Sequence, residues 1–380
     1  MGISVKDALT LPGLNKARLL AGKKGLNKII ERVSVVEAPD FKAYKSLVKE
    51  GDFFITSFYA VKNDEHLQLK AVETLLSCGS SGLVVIDLYF KDLSKEIKNF
   101  ADEASFPIMI LPESVPYAEV ITNVMDAIIR QKDNLIKEMR INNILQNGRT
   151  KNEIIEMALS INRNFRKNVV CAYCINTDGL LDSFVSLKNY SEKFKTWEII
   201  NYQKGILIIM TFENNPENLV KYLINEIMDI ISLKGKTFKI GVSDVHEGLE
   251  FLNLSIKEAL IAADASDRIS QSCIVNYRDL GIYKLLMPLR DKAEIQNFYN
   301  EIIPPISIYD QKYNTKLFET AVAFVENDGN IKKTARALFQ HENTIRYRLN
   351  RIKEILNMEN QEGSFYEQLS IAVKIHKLLF

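Results

Sequence analysis

Residues 330–353 read NIKKTARALFQHENTIRYRLNRIK, and two short helical patterns meet there at a break over residues 340–342. Basic side chains crowd this stretch: from Ile331 to Lys353 there are seven Lys or Arg residues and one acid, Glu342. The whole chain of 380 residues carries a formal net charge of only +1. A strong local excess of positive charge in a balanced protein indicates an anionic partner, and double-stranded DNA fits the pattern best.

The second helical pattern has one apolar and one polar face. Its apolar residues fall on one side at about 100° per residue, and they are Ile345, Leu349, Ile352 and Leu356. Arg, Asn, Tyr and Thr are the residue types that contact guanine, adenine, phosphate and the thymine methyl group in a major groove. The predicted DNA-binding residues are Asn343, Thr344, Arg346, Tyr347, Arg348, Asn350 and Arg351 from this helix and Lys332 and Lys333 from the preceding one.

This arrangement follows helix-turn-helix logic, with Asn330 and Asn343 as the expected N-caps of the two helices. A basic helix face that is only solvated is the first alternative, but such faces interleave Glu with Lys, and acids are nearly absent here until Glu354. A second alternative stays open. The basic helix of a protein-interaction scaffold would bind an acidic protein instead of DNA.

The chain before this motif divides into two α/β regions. In residues 1–125, the short apolar runs GDFFITS (51–57), SGLVVIDL (81–88) and FPIMILP (106–112) alternate with helical patterns, which predicts a mainly parallel sheet. A second α/β region follows in residues 149–285, with a helix predicted at 216–235 and another at 254–266, the latter opened by a Ser255/Glu258 capping box. The dipeptide Pro304-Pro305 predicts a break before an all-helical domain over residues 310–380.

Residues 126–148 are predicted to form a connector helix between the two regions. Around it, an apolar heptad pattern runs through Ile121, Met125, Ile128, Leu135 and Met139, with Lys132 and Asn142 on the same seam. Two interpretations stay open: a helix packed on its own domain, or a self-associating connector whose polar seam residues set the register.

The carboxyl ends of the first three strands are the natural place for a small-molecule site, because ligands of open α/β sheets bind there. Thr56, Ser57, Asp87 and Glu113 lie at these ends and are tentative ligand-binding residues. Ordinary capping of strand ends by the same residue types is the alternative.

No enzyme motif, cofactor site or metal site is expected. The chain has no phosphate-binding glycine loop and no zinc-protease or hydrolase motif. Cys171 and Cys174 lie three apart on a predicted strand, so their side chains point to opposite faces and cannot chelate one ion. There is no apolar run long enough for a membrane span and no export signal, so a cytoplasmic protein is expected.

The segment TARALFQHENTIRYRLNRIKEIL (334–356) resembles the C-terminal helix-turn-helix of the purine-catabolism-regulator (PucR/CdaR-type) transcription factors. The shared pattern is Thr334, Ala335 and Leu338, followed by H-x-N-T-hydrophobic-R-Y-R-L over residues 341–349. VSVVEAPDF (33–41) with GDFFITS is similar to the family's N-terminal sensor domain, and residues 239–266 look like its degenerate GGDEF-like domain.

The resemblance implies an α/β multidomain regulator: an N-terminal α/β sensor, a central GGDEF-like α/β domain and a C-terminal all-α helix-turn-helix domain. It also implies a small-molecule effector, operator DNA as partner, a homodimer or higher homo-oligomer, and control of catabolic genes. A cyclase-like, nucleotide-handling enzyme is the alternative. It is disfavoured because the hairpin at 201–210, NYQKGILIIM, has no carboxylate for Mg²⁺, and Asp178 in NTDG is read as a turn residue.

Overall fold

The computed structural model describes residues 2–37, 48–176, 194–214, 225, 238–269 and 272–380. The chain forms two compact units, Met1–Met139 and Arg140–Phe380. The predicted turn at Asp178 and, except for residue 225, the helix predicted at 216–235 lie outside the described residues. Within the described ranges, no helix is both long enough and apolar enough to cross a membrane.

The first unit alternates short strands with helices along the chain. Its elements are β1 (Ile3–Ser4), α1 (Val5–Ala8), β2 (Arg18–Ala21), β3 (Ile29–Ile30), β4 (Arg32–Val35), β5 (Asp52–Thr56), α2 (Glu65–Ser77), β6 (Gly82–Ile86), α3 (Lys95–Glu103), β7 (Ile108–Leu111) and α4 (Tyr117–Leu145). The main sheet has the order β2-β7-β6-β5-β4. Strands β4 to β7 pair in parallel, and only β2 runs antiparallel. The prediction of a mainly parallel sheet is confirmed.

Every residue of β5, β6 and β7 is buried, because helices and loops cover both faces of the sheet. One face packs on α2 and α3, through residues such as Val72 and Ile97. The other face packs on the first part of α4, where Val120, Val124 and Ile128 are buried. The parallel arrangement brings the carboxyl ends of β5, β6 and β7 to one edge of the sheet.

Helix α4 changes character along its length. Its first part is core, and Ile141 and Ile144 near its end are buried among residues of the second unit. Between these parts, Ile129, Ile136 and Met139 are exposed at 58%, 50% and 62%. The residues of the predicted heptad pattern therefore differ in their surroundings. Ile128 packs in the domain core, as expected for a helix packed on its own domain. Met139 is exposed and could contact a second copy of the helix, as expected for a self-associating connector.

The second unit contains a mainly antiparallel sheet, in which β13 pairs with β11 in parallel. Its elements are α5 (Lys151–Ile161), β8 (Asn168–Asn176), β9 (Trp197–Tyr202), β10 (Gly205–Phe212), β11 (Phe238–Val242), β12 (His246–Glu247), α6 (Leu252–Arg268) and β13 (Ile274–Asn276). The strand order is β13-β11-β8-β10-β9, with β12 also paired to β8. Cys171 and Cys174 of β8 belong to the cores on opposite faces of this sheet, as predicted. Burial raises the pKa of each thiol to about 12.

The predicted capping box at Ser255 and Glu258 is wrong. Helix α6 already begins at Leu252, which is fully buried, so both residues lie inside the helix. Glu258 instead accepts a hydrogen bond from the backbone N–H of Asp244 at 3.0 Å, and its carboxylate lies 2.9 Å from Nε2 of His246. These contacts bind β12 to α6, so His246 has a structural partner.

The rest of the second unit is helical. Its helices are α7 (Tyr283–Leu289), α8 (Ala293–Tyr313), α9 (Leu317–Glu326), α10 (Ile331–Ala337), α11 (Glu342–Ile355) and α12 (Glu362–Leu379). They share one core, in which Ile306, Ala321, Ile345 and Leu369 are fully buried. The break predicted at Pro304-Pro305 is wrong, because both prolines lie inside α8. Burial of the neighbouring isoleucines holds this helix in the core despite the lost N–H donors.

Asp310 of α8 fixes the start of α9. Its carboxylate accepts the backbone N–H groups of Leu317 and Phe318, both at 2.8 Å. We expect Asp310→Ala to lower the free energy of unfolding by about 1 to 2 kcal/mol, because these N–H groups lose their charged acceptor. Denaturant unfolding measures the change. Asp291→Ala is the matched control, because the Asp291 side chain is 90% exposed; equal effects of the two variants would contradict the capping role.

Candidate nucleic-acid interface

Helices α10 and α11 form a hairpin at the surface of the helical core. Asn330 caps α10 as predicted: its side-chain oxygen accepts the N–H of Lys333 at 3.0 Å. The cap predicted for α11 is wrong, because that helix begins one residue before Asn343. His341 is its N-cap, and Nδ1 of His341 accepts the N–H of Asn343 at 3.2 Å. The side chain of Asn343 is therefore exposed in the first turn and not used for capping.

The buried side of α11 is the predicted apolar stripe. Ile345, Leu349 and Ile352 are exposed by only 0%, 5% and 0%. Leu356 lies beyond the helix end and is partly buried against the same core. Three anchored residues at spacings of four and three fix the rotation of the helix about its axis. They therefore decide which polar side chains face outward.

The outward face consists of Asn343, Arg346, Tyr347 and Asn350, all of which are exposed. Tyr347 is exposed by 64%. The side chain of Thr344 is partly exposed beside them. This face combines a guanidinium, two amides and a phenol on a rigid helix, and these are groups that read base edges in a major groove.

Two of the predicted DNA-binding arginines contact the protein. The guanidinium of Arg348 donates to Oγ1 of the fully buried Thr320 in α9 at 3.1 Å. Arg351 pairs with Glu354 and lies 5.9 Å from the ring centroid of Tyr309 in α8. A hydrogen bond with Tyr347, followed by the charge of Glu354, raises the pKa of Arg351. Both arginines therefore brace α11 against neighbouring helices.

Helix α10 adds positive charge beside this face. Lys332, Lys333 and Arg336 are all exposed on it. No acid occurs in residues 329–341, so nothing in this part of the chain offsets that charge locally. Arg346 and Asn350 also line a cleft of about 430 Å³, together with Lys353, Asp328 and Tyr366. The sequence had not indicated this cleft, because its walls come from separate helices.

The strand ends of the first unit behave partly as ordinary caps. Thr56 is buried, and its hydroxyl accepts the N–H of Phe58 at 2.9 Å. Asp87 accepts the N–H of Glu113 at 2.7 Å and pairs with Lys91 at 3.1 Å. The N–H of Glu113, and then Lys91, hold the pKa of Asp87 below its usual value. The Glu113 side chain is exposed.

Ser57 belongs to a different group, which the sequence analysis missed. The carboxylate of Glu37 accepts the N–H of Ser57 at 2.6 Å, its hydroxyl at 2.9 Å and the phenol of Tyr117 at 2.9 Å. Burial, and then Glu37, raise the pKa of Tyr117 to about 12. The three residues lie 20 and 80 positions apart, so no local pattern could have joined them.

Aromatic rings stand beside this carboxylate cluster. Tyr59 and Tyr89 are exposed, with ring centroids 5.8 Å apart. The ammonium of Lys62 lies 4.5 Å from one ring centroid and 4.8 Å from the other, in cation–π geometry. The cavity behind Glu37 and Thr56 has a volume of only about 10 Å³, which is room for about one water molecule. A larger ligand would need these side chains to move.

Two separate parts of the chain match models of known protein families. Residues 7–128 match the model of the Purine catabolism regulatory protein-like family, and residues 317–375 match that of the PucR C-terminal helix-turn-helix domain. The second match covers α9, α10, α11 and most of α12.

Among the described residues, no group of three or more His, Cys, Asp or Glu side chains could hold a metal ion.

Three similar proteins come from Bacillus subtilis (strain 168). The Purine catabolism regulatory protein is 25% identical over 36% of this chain and 25% of its own length. The DNA-binding transcriptional activator AdeR is 27% identical over 35% of this chain and 33% of its own length. The Proline-responsive transcriptional activator PutR is 23% identical over 50% of this chain and 49% of its own length.

The matches span from a quarter to about half of the length of these relatives. All three are named as regulators or transcriptional activators, not as enzymes, which agrees with the prediction of a regulator. The resemblance found in the sequence is thus confirmed in two separate parts of the chain. In residues 7–128 the chain contains a domain of the purine catabolism regulatory protein-like family, and in residues 317–375 a PucR C-terminal helix-turn-helix domain.

Proposed function

We propose that this chain is a cytoplasmic transcription regulator that binds operator DNA through α11. A small metabolite in the first unit controls it, and it acts as a dimer or higher oligomer. The observation that carries the proposal is the outward face of Asn343, Arg346, Tyr347 and Asn350, opposite the buried isoleucine stripe of a helix-turn-helix domain.

Each part of this surface has a task in DNA recognition. Helix α11 lies in the major groove, where Arg346 donates to guanine and Asn343 or Asn350 contacts adenine. Lys332 and Lys333 of α10 contact phosphates and set the position of the protein on the duplex. Arg348 and Arg351 hold α11 in place, so they act as positioning residues. Binding of phosphates by these cations makes the affinity depend on salt.

The relatives support control of catabolic genes by a metabolite. One is named for purine catabolism and another is named proline-responsive. The effector site in this chain is the cluster of Glu37, Ser57 and Tyr117 with the neighbouring Tyr59 and Lys62. An effector with a hydrogen-bonding or cationic group competes with Tyr117 for the carboxylate of Glu37.

Release of Tyr117 transmits the signal, because Tyr117 is the first residue of α4. The same helix carries the exposed residues Ile129, Ile136 and Met139, whose spacings of seven and three suit a two-stranded coiled coil. Pairing of two copies along α4 sets the separation of the two α11 helices, which must match half-sites about 34 Å apart. A modest change at α4 then changes operator affinity.

The domain division in this proposal is a sensor at 1–125, a connector helix at 126–148, a central domain at 149–285 and a helix-turn-helix domain at 310–380. The central domain is GGDEF-like and has no catalytic role. The turn of its β9–β10 hairpin, Gln203 and Lys204, has no carboxylate to bind the Mg²⁺ that a nucleotide cyclase needs.

Arg346 lies on the exposed face of α11 and tests its contact with DNA. We expect Arg346→Ala to weaken binding to the chain's own promoter region about 10- to 100-fold, because one contact to a guanine is lost. The thermal midpoint should stay unchanged, because Arg346 lies on the exposed face. A gel-shift titration at several salt concentrations measures the affinity, and Arg163→Ala, at another exposed arginine, is the control. Absence of salt-dependent binding by the wild type would refute the proposed function.

Arg348 should behave differently from Arg346. We expect Arg348→Ala to weaken DNA binding and also to destabilise the protein by about 1 kcal/mol, because the hydrogen bond to Thr320 is lost. Unfolding and gel-shift measurements on the same preparation separate the two residues. If Arg348→Ala weakens binding and leaves stability intact, Arg348 contacts DNA directly and is not a brace.

Tyr117→Phe tests the sensor cluster. The pKa of Tyr117 rises from 10.0 to about 12 on folding, so its phenol stabilises the fold below pH 10, and this contribution is lost as the pH rises toward 12. We therefore expect the variant to lose less stability than the wild type over that interval. Denaturant midpoints against pH measure this, with the exposed Tyr313→Phe as control. Identical pH profiles for wild type and Tyr117→Phe would show that burial and Glu37 do not raise the pKa of Tyr117.

A further inference from the structure

Phe339 lies in the turn between α10 and α11, and its side chain is not buried against either helix. Its side chain is 93% exposed, the largest value among the big apolar residues that the structure describes. Its φ angle is +52°, in the left-handed region that aromatic residues rarely adopt. An exposed aromatic ring on a strained backbone contributes nothing evident to the fold.

The backbone around Phe339 explains why a glycine would suit this position better. The N–H of Gln340 donates to the carbonyl of Ala335 at 2.9 Å, and the N–H of Phe339 donates to that of Arg336 at 3.2 Å. This pair of bonds is the Schellman motif that ends many helices, and its left-handed position is usually Gly and sometimes Asn.

Other left-handed positions in the helical part of the second unit follow this rule. Asn314, Asp328 and Asn357 have φ angles of +50°, +54° and +56°, and Asn and Asp tolerate that conformation well. Phe339 is the exception among them. Backbone strain that the fold does not need points to a functional constraint on the side chain.

The surroundings of the ring indicate which partner it meets. Arg336, one turn earlier, and Lys332 and Lys333 are exposed and basic, and residues 329–341 contain no acid. On the other side, the turn leads directly into the first turn of α11, where Asn343 is exposed. An apolar ring bordered by cations fits a partner that is anionic and also offers small apolar groups. Duplex DNA has both, in its phosphates and in its thymine methyl groups and sugars.

We propose that Phe339 is a DNA-contacting residue that packs its ring on an apolar group of the operator next to α11, either a thymine methyl or a deoxyribose. This inference rests on the proposed DNA binding and extends it to a residue outside the recognition helix. Phe339 lies three residues before α11, in the turn that leads to the end of the recognition helix that enters the groove. An aromatic ring at this place increases the affinity for an operator, or for operators with thymine at one position, without adding a contact to phosphate.

Phe339→Gly in the full-length chain tests the proposal. Glycine accepts the left-handed backbone, so the thermal midpoint should stay the same or rise. Affinity for the promoter fragment should fall about tenfold, a typical loss for one contact at the base edge. The slope of log affinity against log salt should not change, because no phosphate contact is lost. Phe380→Ala is the control, since Phe380 is 85% exposed but lies far along the chain from the reading face.

A duplex in which uracil replaces thymine distinguishes the two apolar sources. If the ring packs on a methyl group, the wild type binds the uracil duplex about as weakly as Phe339→Gly binds the thymine duplex. Phe339→Gly then binds the two duplexes with equal affinity. If the ring packs on a sugar, Phe339→Gly loses the same factor on both duplexes.

Two results would overturn the inference. If Phe339→Gly binds both duplexes as tightly as the wild type does, Phe339 does not contact DNA. If light scattering then shows that the variant has a different mass from the wild type, the ring belongs to an interface between copies of the chain. Salt-dependent binding by the wild type, measured in the same titration, shows that DNA binding itself stands. Without such binding, the proposed function and the contact at Phe339 fall together.

Discussion

The burial of three residues on one side of α11 is the constraint on which the outward face of this helix depends. Ile345, Leu349 and Ile352 enter a core shared with α8, α9 and α12, and they leave the helix a single rotational setting. Asp310 fixes the start of α9, and Arg348 joins α11 to Thr320 in that helix. The position of α11, and with it that of the outward side chains, is thus set by apolar packing and by these two polar contacts.

The sequence predicted what depends on short-range periodicity. The apolar stripe of α11 and the parallel strands of the first unit are patterns in neighbouring residues, and both were correct. Contacts with residues distant in the chain could not be predicted in this way. The contacts of Arg348 and Arg351 with the protein depend on Thr320 and Tyr309 from other helices.

In the second unit, burial of apolar side chains also overrides the local preference of proline to end a helix. Two adjacent prolines normally end a helix, yet α8 continues through Pro304 and Pro305 because Ile302, Ile303 and Ile306 are buried around them. In the first unit, the Glu37 carboxylate and the Tyr117 phenol were invisible in the sequence for a related reason. They come together only when the sheet and the start of α4 are in place, and Thr56 and Asp87 meanwhile serve as caps.

The separation of bracing arginines from outward side chains on α11 has an evolutionary consequence. Asn343, Arg346, Tyr347 and Asn350 are exposed and do not belong to the core, so we expect their exchange to change stability little. Under the proposed function, gene duplicates of such a protein can acquire new target sequences by a few surface changes, while the buried residues stay under separate selection. One architecture can in this way diversify into many regulators within a single genome.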